Sequence, residues 1–404
     1  MAESAPPMKI TAVRVRKLRG TMATSAPFWE ERLVRPIDIY PDYRARRDFE
    51  GGEQREGGFI IETYFVQIET DEGVIGIAGP VPETVAFFIG RRLRPLLLNR
   101  DPIAHEMLWD QMHRVMVHGR QGDAMLAISA IDCALWDLKG RWLGQPVYKL
   151  LGGPTRPSIP AYASMLGFAT EDPGRVRERA LTFKAQGYVA QKWFFRHGPM
   201  SGPEGMRKNV ELVRTLREAL GEDDDVMLDC WQSMEPNYAI ELASRITEYR
   251  PRWLEECCMP DRIDSYQRIK DKVSIPLAGA EHEYTRWGFK RFIDARALDI
   301  LQPDIYWCGG LSETLKIAAY ATVHDLITIP HGHSTPASVH FSMSQSPIHT
   351  PYQEYLVKWN DIHQHFLAHP VKPERGEICV PSRPGLGMDL DPTKIEAEQE
   401  VFGP

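Results

Sequence analysis

The chain has 404 residues, 43% hydrophobic and 25% charged, and 55 acids against 48 Lys and Arg leave a formal net charge of -7. That mild acidity argues against a nucleic-acid surface, which needs clustered Lys and Arg, and no run of about 18 apolar residues offers a membrane span. Single cores seldom grow beyond about 250 to 300 residues, so two domains are expected.

The six cysteines include no CxxC pair, and the start, MAESAPPMKI, has no charged n-region leading into an apolar stretch. Both features predict a reduced, cytoplasmic setting without secretion or membrane insertion.

In chain order, KITAVRVRKL (Lys9 to Leu18), IIETYFVQIET and VIGIAG alternate as strands of an antiparallel meander. A long insert, from about Arg19 to Gly58, separates the first two and carries Phe28, Trp29, Tyr40, Tyr43, Arg44, Arg46 and Arg47. Inserts of that length in compact domains often serve as lids, and Trp29, Arg46 and Arg47 are the candidate substrate contacts. From Thr84 to about Leu143 the apolar spacing is helical, ending at Gly144 before Gln145-Pro146. An α+β domain over residues 1–150 is expected.

After Gly152-Gly153-Pro154, SIPAYASM is the candidate first strand of a second domain over residues 151–368, followed by a helix from about Asp172 to Gln186. From there, polar groups recur at the ends of short apolar runs: Lys192, Asp229, Glu255, Glu281, Asp304, His331 and Glu354. The intervals from Asp229 onward are 26, 26, 23, 27 and 23 residues, about the length of a strand, a helix and two turns. This is the layout of a parallel (β/α) barrel with its chemistry at the carboxyl ends of the strands. Residues 369–404, rich in Pro and Gly, are expected to return to the first domain.

Asp229, Glu255 and Glu281 end three adjacent strands and would repel one another without a cation between them. All-oxygen ligation suits Mg²⁺. Glu256 is the fallback for Glu255, and Glu283 falls in a loop beyond Glu281. Singly, each acid reads as readily as a helix cap; the common period makes that reading weaker. Asp304 and His331 end consecutive strands, which suits a carboxylate-imidazole pair that takes and returns a proton, with the carboxylate raising the imidazole pKa. His331 and His333 could also be read as an HxH metal motif, but that leaves the three acids without a role. Lys192 is a second acid-base group or an anchor for a substrate carboxylate. Glu354, if protonated, could donate a hydrogen bond to an oxygen that gains charge.

These residues, with AIDCALWDLKGRWLGQPVYKLLGG, resemble the mandelate racemase subgroup of the enolase superfamily. MLDCWQS, WLEEC, GAEHE, DILQPDIYWCGGL, IPHGHS and QEYL more narrowly resemble the rhamnonate dehydratase family of acid-sugar dehydratases. The resemblance implies a modified TIM-type barrel under a capping domain that the C-terminal tail completes. It further implies Mg²⁺ on Asp229, Glu255 and Glu281, a sugar-acid substrate with L-rhamnonate the first choice, and a symmetric homo-oligomer. The implied reaction is dehydration through an enediolate to a 2-keto-3-deoxy acid. An epimerase, a cycloisomerase or a catalytically silent barrel are the alternatives. Two departures stand out: Lys192-Trp193-Phe194 replaces a Lys-x-Lys pair common in the subgroup, and Phe28 stands where a histidine is expected before Trp29.

Overall fold

The computed structural model describes residues 7–24, 28–46, 53–55 and 58–403. Period-two alternation buries Val13 and Val15 on one face of β1 (Ile10–Ala23). Arg14 and Arg16 on the other face pair with Glu69 and Glu398. β1 is antiparallel to β3 (Gly58–Thr70), which also pairs with β2 (Glu53–Arg55) and β4 (Ile75–Val81). β1 continues five residues past Leu18, because Thr21 and Met22 keep pairing with Ile60 and Phe59. The insert is therefore shorter than expected.

Over this sheet lies the helix Asp123–Trp142, buried on nearly every face because the second domain covers its far side. Two buried carboxylates on it make the joints. Asp132 accepts from Ser312 N at 2.9 Å and Ser312 Oγ at 2.6 Å, and Asp137 accepts from Ile77 N and Leu386 N. At Gly310 (φ +87°) a Cβ would sit 2.4 Å from Asp132 Oδ2, so the close approach of these elements requires glycine.

The second domain curls eight parallel strands: β5 (Ser158–Ser164), β6 (Ala190–Phe194), β7 (Asp225–Asp229), β8 (Trp253–Glu255), β9 (Leu277–Gly279), β10 (Ile300–Leu301), β11 (Ile327–Thr328) and β12 (Gln353–Leu356). Neighbours pair in chain order, and β12 returns to β5. β11 and β12 share no ladder; Thr350 Oγ1 bridges to Thr328 O instead. Tyr162, Met227, Trp253 and Ile300 help fill the interior, and a larger apolar shell lies between strands and helices. The helix Pro173–Ala185 starts where Asp172 caps Gly174 N and Arg175 N.

In the tail, β14 (Ala397–Val401) joins the first sheet beside β1 and so completes the capping domain. β13 (Glu377–Cys379) pairs with β5 instead, so the tail packs on both domains rather than on the first alone. Among the described residues, no helix is long and apolar enough to cross a membrane.

Candidate active site

Register decides which side chains reach the barrel mouth. Phe194, Asp229 and Glu255 stand side by side on β6, β7 and β8. Glu281 lies two residues beyond β9, and Asp304 and His331 each lie three beyond β10 and β11. Atoms of Asp229, Glu255 and Glu281 able to hold a cation lie within 4.8 Å of one another, and all three residues are buried. Glu256, Glu281 and His282 form a second such group. It arises because Glu256 adopts φ +43°, which ends the strand alternation and leaves both glutamates buried at the mouth. Glu283 turns aside to accept from Tyr284 N.

The three acids fit a divalent cation. Burial pushes Asp229 up to about 6 against the lowering effect of the Lys192 charge, with Glu281 and Glu256 adding to the rise, and burial likewise pushes Glu255 and Glu281 well above the carboxylate range. Glu281 is 3% exposed, and its Oε2 has no hydrogen-bond partner. A buried carboxylate oxygen in that state is costly unless positive charge compensates it.

Lys192 and Glu354 do not end their strands. Lys192 lies two residues before Phe194 and Glu354 two before Leu356, so each faces the interior one layer below the rim, where Phe194 and Leu356 stand. Both are fully buried. The Lys192 ammonium contacts Glu255, Asp229 at 3.0 Å and Glu354 at 2.8 Å. Burial alone would lower its pKa, but those three carboxylates raise it well above the usual range. Glu354 Oε2 accepts from Gly332 N at 2.8 Å, and a Cβ on Gly332 would meet Glu354 Cγ at 2.7 Å. Lys192 therefore supplies charge from beneath, and Glu354 ties that charge to the backbone next to His331.

His331 Nδ1 is 2.8 Å from Asp304 Oδ2, and His331 Nε2 is 3.6 Å from Glu281 Oε2. Asp304 Oδ1 accepts from Tyr306 N at 2.7 Å, which fixes the carboxylate. The pairing was expected to raise the imidazole pKa, but burial, aided by the Lys192 charge, pushes it well below its ordinary value. In the neutral tautomer that donates Nδ1–H to Asp304, the lone pair is on Nε2. His333 Nδ1 is 3.7 Å from the same Asp304 oxygen. Neither His331 nor His333 belongs to a group able to hold a metal among the described residues.

Asp229, Glu281, His282, Trp307, His331 and His333 border a cavity of about 330 Å³. The rest of its lining is an apolar wall of Leu33, Leu166, Phe194, Leu356, Trp231 and Trp359, joined by Arg32 and Arg35 from the lid. Trp29 and Arg46 are not among its lining residues. Trp29 packs against Trp359 and over Gly167, wedging the lid onto the barrel, and Arg46 is exposed and stacks over Tyr43. Arg47 lies outside the described residues.

His282 escaped the sequence reading although it directly follows Glu281. Burial would lower its pKa, but Glu256, 2.9 Å from Nδ1, and Glu281 raise it to about 10. Arg32 and Arg35 sit in an aperiodic loop that gave no signal.

Residues 175–394 match the enolase C-terminal domain-like family, and residues 61–152 match the mandelate racemase / muconate lactonizing enzyme N-terminal domain. An L-rhamnonate dehydratase of Saccharopolyspora erythraea is 33% identical over 95% of this chain and 97% of its own length. Rhamnonate dehydratase from Gibberella zeae complexed with Mg superposes with a TM-score of 0.83 at 30% identity, covering 98% of this chain and 97% of that one. The 3,6-anhydro-D-galactonate cycloisomerase from Zobellia galactanivorans gives 0.77 at 31% identity, covering 96% and 98%. Matched in both its domains, and sharing a third of its residues with a relative over nearly its whole length, this chain belongs to the mandelate racemase / muconate lactonizing enzyme family of the enolase superfamily.

Proposed function

We propose that the protein is a Mg²⁺-dependent hydro-lyase that removes the α-proton and the 3-hydroxyl of a sugar acid, with L-rhamnonate as the preferred substrate. One observation carries this reading: His331 is held by Asp304 at 2.8 Å with its Nε2 3.6 Å from the carboxylate cluster. A proton acceptor thus lies beside the place where a substrate carboxylate would meet positive charge. Asp229, Glu255 and Glu281 would hold the Mg²⁺, which when bound would supply that charge.

His331 Nε2 takes the proton from the carbon next to the carboxylate, and Asp304 steadies the imidazolium through Nδ1–H. The imidazolium then returns the proton to the 3-hydroxyl as its C–O bond breaks, releasing water. One group serves both steps, so proton and hydroxyl leave from the same side. The enol that remains tautomerises to a 2-keto-3-deoxy acid. Lys192 and Glu354 act from below without touching substrate, a change from the anchoring and donor roles their spacing suggested.

The choice of L-rhamnonate rests on the apolar wall. Its C6 is a methyl group, which Leu33, Phe194 and Leu356 can cover. A 6-hydroxyl placed there loses water without gaining a partner, a cost of about 1–3 kcal/mol. That corresponds to roughly 5- to 150-fold in kcat/KM for L-rhamnonate over L-mannonate.

The test is a screen of acid sugars with Mg²⁺, reading 2-keto product by semicarbazide and water loss by mass. Product from L-rhamnonate with one water lost supports the reading. A product of unchanged mass makes the protein an isomerase, and no turnover on any sugar acid rejects it.

A further inference from the structure

The part of the lid that reaches the cavity has little regular structure. Between Trp29 and Arg46 there is only a 3-10 turn, Pro36–Ile39, and one helical turn, Pro41–Arg44. Yet Leu33 and Val34 are buried. The Arg32 guanidinium organises this stretch. Nε donates to Arg46 O at 2.7 Å; Nη1 donates to Leu33 O at 2.9 Å and Asp38 Oδ2 at 2.6 Å. Nη2 donates to Tyr43 O at 3.0 Å, Arg44 O at 3.2 Å and Asp38 Oδ1 at 3.3 Å. Asp38 also accepts from Arg35 N at 3.0 Å.

Arg32 and Asp38 are each 4% exposed, so the pair is out of water and fully engaged. A guanidinium has five N–H donors, and these contacts use all of them. Although Arg32 borders the cavity, its fork has no donor left for a ligand. The strip it holds is also sewn to the barrel: Val34 N donates to Phe195 O at 2.8 Å, and Ser233 Oγ donates to Val34 O at 3.1 Å.

We propose that Arg32 is a positioning residue that governs substrate affinity and selectivity by holding Leu33 and Arg35 against the cavity. The inference rests on the sugar-acid reading above. Without the fork, Leu33 O, Arg44 O and Arg46 O lose the donor Arg32 supplies, Tyr43 O keeps Arg46 N, and the buried Asp38 carboxylate keeps Arg35 N but loses the Arg32 counter-charge. The strip then leaves the wall while Asp229, Glu281, Asp304 and His331, none bonded to Arg32, stay on the barrel. Binding suffers before proton transfer does.

The experiment compares wild type, Arg32→Ala, Arg32→Lys and Asp38→Ala by steady-state kinetics, denaturant unfolding and limited trypsin digestion. Trypsin cleaves after Arg44 and Arg46, at two of the carbonyls the fork holds. We expect KM for L-rhamnonate to rise about tenfold or more and kcat to stay within about threefold, the signature of lost ground-state positioning. Preference over L-mannonate should fall, cleavage after Arg44 and Arg46 should accelerate, and the barrel's unfolding midpoint should hold. Lys keeps the charge but not the fork, so it should not rescue. Asp38→Ala breaks the same hub from its other side and decides the matter if Arg32→Ala does not fold. Unchanged KM, loss of kcat alone, or unchanged cleavage overturns the proposal. Failure of wild type on every sugar acid rejects the sugar-acid reading instead, and the trypsin comparison still judges the hub.

Discussion

At His331 the structure separates proton transfer from packing. The ring is held at Nδ1 by Asp304 and keeps Nε2 toward the carboxylate cluster. Asparagine there retains a polar group for Asp304 but has no titrating nitrogen. His331→Asn should lower kcat by about 10²–10⁴-fold while KM changes little; steady-state kinetics with the 2-keto readout checks this, and near-normal kcat removes the histidine from the mechanism. Lys192 permits a stability test. Its ammonium lies among Asp229, Glu255 and Glu354 with no exposure to water. Lys192→Met leaves those buried carboxylates without their common counter-charge, so unfolding free energy should drop by about 3–5 kcal/mol in urea titrations without Mg²⁺.

At the scale of elements, the joint between the domains carries its own pH dependence. His340, on the helix Thr335–Ser344, is fully buried and accepts through Nδ1 from Tyr148 N at 3.1 Å. Burial pushes its pKa down to about 4. The unfolded chain binds a proton there below about 6.5 and the native chain does not, so stability is full above 6.5 and falls as pH drops toward 4. The loss amounts to about 3 kcal/mol. His340→Gln, which cannot titrate, should flatten the stability-pH curve in that window; an equal slope in both proteins would place the titration elsewhere. Element ends were also where the sequence was hardest to read. Asp229 and Glu255 lie at the ends of their strands and Glu281 just beyond its own, because past the last ladder bond the chain turns and tolerates a polar group. Lys192 and Glu354 share the same face two residues lower, and nothing in period-two alternation tells a rim position from the layer beneath it.

For the molecule as a whole, the acidic cluster exists only in the folded chain. Mg²⁺ should therefore raise the unfolding midpoint, adding about 2.7 kcal/mol at one hundred times its Kd. EDTA should remove both that gain and turnover, and Mg²⁺ should restore them; scanning calorimetry with parallel assays measures both. A Mg²⁺-independent midpoint in an active enzyme would contradict the ligand assignment. The overall architecture was legible because the β/α period repeats and a meander precedes it. The lid was not, since Arg32 acts through carbonyls that any residue could supply, and such contacts leave no pattern in composition or spacing.

The alternation on β6 and β12 has a consequence for descent. Phe194 and Leu356 border the cavity, while Lys192 and Glu354, one step down the same ribbons, meet Asp229, Glu255 and the backbone beside His331, the groups to which we assign the reaction. Taste and chemistry are thus written on neighbouring rungs, and a lineage can revise the upper rung without rewriting the lower. Randomising positions 33, 194 and 356 together should yield enzymes that differ in diet and share one reaction.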